Sequence, residues 1–389
     1  MNQSRPLSTM ALFGALILSL FSITTSQTKA DGVECQYRDY LGSYDTPSRA
    51  SEVTIVGTTA YVADFLSGLQ IIDVSDPTAP VFLGSYNTPG SAHGVTVVGT
   101  IAYVADGNSG LQIIDVSNPA APTLIRSYDT PGYAWGITVV STTAYIADRT
   151  PGLLILDISN PAEPAVLGTY STRSSTAYDV AIVGTTAYIA DGHSGLLIID
   201  VSDPTAPVLL GSFDTPVSAR DVTVVGTTAY VADMESGLLI IDVSNPAAPV
   251  LFGSYNTPYT ARGVTVVGTT AYVADAYRGL QIIDVSDPTE PTFLGSHYKP
   301  DALDIDVVVV GNTAYVVDYF SSLQIIDISD CADGCIVDLT KDGILDFFDV
   351  SVFLDGFGNQ DAIADFTGDG IYDFFDVSAF LDAFGAGCL

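Results

Sequence analysis

Val53-Thr-Ile-Val-Gly-Thr-Thr-Ala-Tyr-Val-Ala-Asp64 is the stretch on which the fold turns. It recurs with endings at Asp106, Asp148, Asp191, Asp233, Asp275 and Asp318, seven copies at a spacing of 42 or 43 residues. Each copy leads into a segment like Gly68-Leu-Gln-Ile-Ile-Asp-Val-Ser-Asp-Pro77, restarting at Gly110, Gly152, Gly195, Gly237, Gly279 and, in the last copy, Ser322-Leu323. A third segment of the type Leu83-Gly-Ser-Tyr86 closes the unit. The unit reads as four short strands: a (Val53 to Val56), b (Thr59 to Ala63), c (Leu69 to Val74) and d (Val81 to Tyr86), punctuated by Gly, Asp-Pro and Thr-Pro. No amphipathic helical period runs through it, which argues against helical and leucine-rich solenoids. Four strands in roughly 40 residues describe the blade of a β-propeller, and the predicted fold is all-β with seven blades.

The two ends of the array complement each other. An orphan d-type segment, Tyr40 to Asp45, precedes the first copy, while the seventh stops after strand c at Asp330. In a closed ring the first strand completes the last blade and removes a loose sheet edge. Registering the repeats puts Cys35 and Cys331 in the column of Pro77, so a Cys35–Cys331 disulfide is expected at the seam. The loop-entropy estimate for such a bridge is about 5 kcal/mol.

Composition narrows the function. The chain has 389 residues, 48% of them hydrophobic, enough for a folded core. Its 12 Lys and Arg against 45 Asp and Glu give a formal charge of −33, which argues against nucleic acid as a partner. Only five acids are Glu, and Asp favours turns and oxygen cages for hard cations. Residues 1–30 read as a secretory signal peptide: Arg5, an apolar run from Met10 to Ile23, then Thr28-Lys29-Ala30 before the expected cleavage site. That run is shorter than the roughly 20 residues of a membrane span, so no transmembrane segment is expected after cleavage. Export would let disulfides persist. The expected location is extracellular or at the cell surface, and the expected state is a monomer.

The Gly195 to Pro204 stretch, Gly-Leu-Leu-Ile-Ile-Asp-Val-Ser-Asp-Pro, resembles the core motif of the LVIVD-repeat family of secreted β-propellers, over residues 40 to 330. The resemblance implies the fold. It implies no activity, because the family has no common one to transfer.

After Asp330 the pattern changes. Beyond a 331–337 linker, residues 338–389 carry Asp338-Leu-Thr-Lys-Asp-Gly-Ile-Leu-Asp-Phe-Phe-Asp349, which returns 27 residues later as Asp365-Phe-Thr-Gly-Asp-Gly-Ile-Tyr-Asp-Phe-Phe-Asp376. Both are EF-hand-type loops, and two calcium ions are expected. The candidate ligands are Asp338, Thr340, Asp342, Ile344 (by its carbonyl), Asp346 and Asp349, and Asp365, Thr367, Asp369, Ile371, Asp373 and Asp376. Thr at position 3 and Asp at position 12 weaken the standard set. An apolar helix face follows each loop: Val350, Phe353, Leu354, Phe357, then Val377, Phe380, Leu381, Phe384. This duplicated loop-plus-helix is similar to the dockerin family, whose members dock extracellular proteins onto cohesins. The Gly-Cys pairs at 334–335 and 387–388 resemble its cysteine-framed subtype, and that resemblance implies a Cys335–Cys388 bridge. Where cohesin-binding dockerins often carry small or hydroxylated residues, this chain has Phe347-Phe348 and Phe374-Phe375, at least one of each pair expected in the core, which argues against a standard cohesin. The expected docking partner is cohesin-like or an envelope component, with a surface anchor or sorting tag as the other role.

Comparison of the seven copies locates a candidate ligand face. The a–b and c–d turns hardly vary, whereas the d–a and b–c loops differ in every blade and share one face of a propeller. Their variable positions include Arg49, His93, Tyr133, Trp135, Arg149, Arg173, His193, Arg220, Tyr259, Arg262, Tyr277 and Arg278, together with Phe65, Met234, Glu235 and Lys299. Between residues 31 and 330, seven of nine cations fall in these loops, although 33 acids share the span. The expectation is a non-catalytic binding face for an acidic polysaccharide, a glycoprotein or another protein. The Asp64 and Asp73 series, repeated in every blade, are expected to be structural. Glu52, His93, His193, Glu235 and Asp301 are unique to single blades but lack spacing that defines a nucleophile, base or zinc set. The alternative is an extracellular propeller hydrolase or lactonase on a dockerin-like anchor.

Overall fold

The computed structural model describes residues 40–172, 176–299, 302–320 and 322–329, and in the tail 347–359, 364, 377 and 380–381. The repeats form seven four-stranded antiparallel sheets. In blade 1, strand a is Glu52–Val56, b is Thr59–Ala63, c is Leu69–Asp73 and d is Val81–Tyr86. Blades 2 to 6 repeat that meander up to His297.

Blade 7 is closed by the start of the chain. Its strands a (Asp304–Val310), b (Thr313–Asp318) and c (Ser322–Asp327) are joined by Tyr40–Asp45 as strand d. The register is that of an unbroken blade. Leu69 faces Tyr86 and Gln70 faces Ser85 in blade 1; Leu323 faces Tyr44 and Gln324 faces Ser43 in blade 7. Pairing there supplies the edge of strand c with the same backbone partners that a covalent continuation supplies elsewhere.

Burial explains the repeat. Strands b and c are covered on both faces by neighbouring blades, so Thr-Ala-Tyr-Val-Ala and Leu-Gln-Ile-Ile-Asp read as continuous apolar runs. Strand a alternates, and strand d is largely exposed. Seven clusters of buried residues result, one between each pair of adjacent blades. The cluster at the closure holds Ala50, Val53, Val62 and Ile72 of blade 1 against Tyr315, Val317, Leu323 and Ile325 of blade 7, the counterpart of the other six. Each fully buried Leu or Ile contributes about 1.5–3 kcal/mol, repeated around the ring.

In the tail, a helix covers Phe347–Asn359. Phe353 and Phe380, equivalent positions of the two copies, are both buried and stack at 4.0 Å with an interplanar angle of 6°. The expected apolar face holds for Val350 and Phe353, but Leu354 is exposed, because the next residue on a helix is turned by about 100°. Apart from the backbone of Asp349, the calcium-loop ligands named above lie outside the described residues, as do Cys35, Cys331, Cys335 and Cys388. Among the described residues no helix is long and apolar enough to cross a membrane.

Candidate functional site

The mouth of the ring is held by the repeated aspartates. Asp106 accepts hydrogen bonds from Thr88 Oγ1 (2.6 Å) and Gly90 N (2.8 Å), Asp148 from Thr130 Oγ1 and Gly132 N, and Asp275 from Thr257 Oγ1 and Tyr259 N. Asp64 takes Ser48 N, Asp233 takes Val217 N and Asp318 takes Leu303 N. Each carboxylate thus ties its b–c loop to the preceding d–a loop. Burial pushes Asp64, Asp106, Asp191 and Asp275 up to about 6, with the hydrogen bonds working against that shift.

The residue after each aspartate bends the loop back. Phe65, Gly107, Arg149, Gly192, Met234 and Ala276 all have positive φ; the first five form isolated bridges to the next d–a loop, at Ala92, Ala134, Ala177, Ala219 and Ala261, and Ala276 bridges to Asp304 at the start of strand a of blade 7. Side chains at four of these six positions accept a backbone that L-residues rarely adopt. The bridges fix the residue following each buried alanine at the start of strand a. Around the mouth these are His93, Trp135, Tyr178, Arg220 and Arg262 in blades 2 to 6.

They form an arc of two characters. On the blade 2–3 side, His93 stacks on Trp135 at 4.0 Å and its Nε2 pairs with the Tyr133 hydroxyl at 2.8 Å. Phe65 meets His93 edge-on, and Tyr178 meets Trp135 edge-on at 5.2 Å. The Arg149 guanidinium sits over both Tyr133 (5.4 Å) and Trp135 (5.5 Å). Burial, then the Arg149 charge, pulls His93 down to about 4, so its imidazole is neutral at physiological pH. Trp135, the only Trp of the chain, is used up by its neighbours.

On the blade 5–7 side the partners run out. Arg220 lies over Tyr178 at 4.0 Å, and Arg49 over Tyr319 at 4.5 Å with a hydrogen bond to its hydroxyl. Among the described residues Arg262 lies over no ring and makes no ion pair. The Nε atoms of Arg220 and Arg262 are both buried without a hydrogen-bond partner there. Burial, then the Arg220 charge, lowers the Arg262 guanidinium below its ordinary value, against the opposing influence of Tyr319, Tyr277 and Glu235. Beside them Tyr259, Tyr277 and Phe320 stand exposed, Tyr259 and Tyr277 edge-to-face at 5.5 Å and Tyr277 tilted against Phe320 at 6.4 Å.

The other expected face residues are scattered. His193 is exposed with Nδ1 2.8 Å from the Val217 carbonyl oxygen, Arg278 is exposed, and Lys299 donates to Ser322 Oγ. Arg173 lies outside the described residues, as does Asp301.

Below the mouth lies a feature that sequence reasoning missed. Glu52, Asp179, Asp221 and Asp306 sit at the start of the innermost strands, and each accepts a backbone N–H from the next blade: Val95, Val222, Val264 and Val53 respectively. Burial, then their neighbours' charges, raises Glu52 and Asp221 well above the ordinary carboxylate range, and Asp221 shares a hydrogen bond with Asp179. Blades 2, 3 and 6 carry Gly94, Gly136 and Gly263 here. A Cβ at Gly136 would lie 2.7 Å from the Tyr178 carbonyl oxygen and 2.9 Å from Asp179 Oδ1, so the close approach of strands requires glycine. The signal was an acid-or-glycine column at one repeat position, visible only once the copies are registered. Among the described residues no group of three or more His, Cys, Asp or Glu is placed to hold a metal ion.

Seven radial four-stranded sheets closed by the N-terminal strand define a β-propeller. The WD40 propeller domain of Doa1 superposes with a TM-score of 0.62 at 8% identity, covering 74% of this chain and 96% of that one. A chain of a Mitotic Checkpoint Complex structure gives 0.62 at 12% identity (79% and 99% covered), and the computationally designed Ika8 protein gives 0.55 at 7% identity (72% and 83%). At such identities the likeness is one of fold alone. The LVIVD repeat matches at residues 47–88, 89–130, 131–172, 175–215, 217–257, 260–298 and 305–333, and the chain belongs to that repeat family. No match emerged among the curated proteins.

Proposed function

We propose that the protein is an exported, non-catalytic binding scaffold whose propeller mouth receives a ligand and whose tail anchors it to a partner at the cell surface. The observation that carries the reading is the pair of half-buried arginines, Arg220 and Arg262, which make no ion pair among the described residues in a chain of net charge −33. Buried charges in proteins are ordinarily paired, so a ligand group is the natural complement. Binding to a glycan array or to cell envelopes is expected, and Arg262→Ala with Arg278→Ala should abolish it. Undiminished binding by that double variant would overturn the reading.

The donor chemistry of the tail fits calcium: in each loop four aspartates, a threonine hydroxyl and a backbone carbonyl supply hard oxygen ligands around a central glycine. Calcium would relieve the mutual repulsion of the tail's twelve Asp against one Lys and order the module for docking. Calorimetry of the full chain is expected to show two calcium sites, lost in Asp338→Ala with Asp365→Ala. No heat from the intact protein would end that part of the proposal.

The hydrolase reading has one observation in its favour, the Asp179–Asp221 pair, two carboxyl groups that hydrogen-bond each other. Their other bonds run to backbone N–H groups of the next blade (Val222 to Asp179, Val264 to Asp221) and of their own strand, the role of a staple between strands. Turnover of a glycoside or lactone panel that disappears in Asp221→Asn would favour the enzyme.

A further inference from the structure

The proposed ligand face has its recognition chemistry on one side, and this inference rests on that reading. We infer that Arg262 and Arg220, flanked by Tyr259, Tyr277 and Phe320, form a subsite for a saccharide bearing a single carboxylate, a uronic acid unit. Two features define the anion. Two neighbouring guanidinium groups, half-buried and without an ion pair among the described residues, concentrate positive charge and N–H donors at one spot, and the planar edge of a guanidinium is a fork that a carboxylate fills in bidentate fashion. The surrounding protein then limits its charge. With 45 acids against 12 cations, the body repels anions beyond contact range, so each negative charge held outside the arginine pair weakens binding. A polyanion pays that repulsion many times over, and a lone carboxylate once.

The flanking residues define the rest of the ligand. Tyr259 and Tyr277 are 47% and 45% exposed and Phe320 54%, although aromatic side chains of this size are ordinarily covered. Their rings offer flat apolar faces, and the tyrosine hydroxyls a polar edge. A pyranose has the matching shape, with one C–H-rich face and a rim of hydroxyls. The rival occupant, an acidic peptide, would use the arginines but has no flat apolar face for three rings. By contrast the Trp135 cluster, though richer in aromatic area, has its rings engaged by His93, Tyr178 and Arg149 and offers no free platform.

The test uses the full chain and three probes: a disaccharide with one glucuronate unit, its methyl ester, and a triglutamate peptide. Calorimetry is expected to show binding of the acid, at least tenfold weaker binding of the ester, and little of the peptide. Arg262→Gln should cost tenfold or more with the acid, Tyr277→Ala several-fold, and Arg149→Gln less than twofold, with thermal melts confirming that each variant is folded. Peptide binding without sugar binding, lost in Arg262→Gln, would overturn the saccharide and leave the ligand face intact. Equal binding of acid and ester would overturn the carboxylate subsite. If none of the probes binds, and envelope binding is unmoved by Arg262→Ala with Arg278→Ala, the inference and the proposed function both fall.

Discussion

The two sides of the mouth are built from the same loop positions and have opposite energetics. In blades 2 and 3, each polar or charged group finds a neighbour: His93 has Tyr133 and Trp135, and Arg149 has two rings. In blades 5 to 7, Arg262 lies over no ring and makes no ion pair among the described residues, and three aromatic side chains face solvent. The first side is packed as a buttress, and the second is the one proposed as a site. Aromatic and cationic residues at loop tips are therefore not by themselves a binding signature; what distinguishes a site is that its interactions remain unmade.

Substitutions should separate the two sides. The largest effect is expected for Trp135→Ala, which removes the centre of the packed cluster and should cost about 3 kcal/mol, read as a fall in denaturant midpoint. A comparable loss from Tyr277→Ala would erase the distinction. Next comes Asp304, which stands in blade 7 where other blades have a buried alanine and is pushed up to about 8 by burial, then by Asp318. Lys299 opposes that shift and Asp275 adds to it, while Gln324 Nε2 donates to Asp304 at 3.0 Å. Because the folded state holds this proton more tightly than the unfolded state, stability is full below about pH 4 and falls as pH rises towards 8. Asp304→Asn keeps the hydrogen-bond acceptor and removes the ionisation, so Tm should rise by several degrees at pH 8 and hardly change at pH 4. An equal change at both pH values would refute it. The smallest effect is expected at the open side: Tyr277→Ala and Tyr259→Ala should stay within about 0.5 kcal/mol of the parent by thermal melting.

The fold was legible because its determinants are local and repeated. The apolar strand-c run, Leu-Gln-Ile-Ile-Asp in four blades and a Leu-Leu-Ile variant of it in three, needs two covered faces, and the orphan Tyr40–Asp45 strand has a place to go only in a ring. The mouth was legible as a location, since the loops that vary are the loops that meet there. Its division was not. His93 and Trp135 are one repeat apart and stack because adjacent blades bring equivalent positions together, whereas Arg149 reaches Trp135 from a different loop. Whether an arginine is satisfied depends on such cross-blade neighbours, which no single repeat encodes. Tyr178, Tyr319 and Phe320 escaped notice for the same reason, and the Glu52, Asp179, Asp221 and Asp306 set was split across four blades.

The most direct test removes one arginine from each side and compares thermal stability at neutral pH. Arg149→Gln deletes a guanidinium resting on two rings and should lower stability by about 0.5–2 kcal/mol. Arg262→Gln deletes a half-buried charge beside another of the same sign and should leave Tm unchanged or raise it. A fall in Tm with Arg262→Gln as large as that with Arg149→Gln would mean that both sides of the mouth are structural, and the account of an open site would fail.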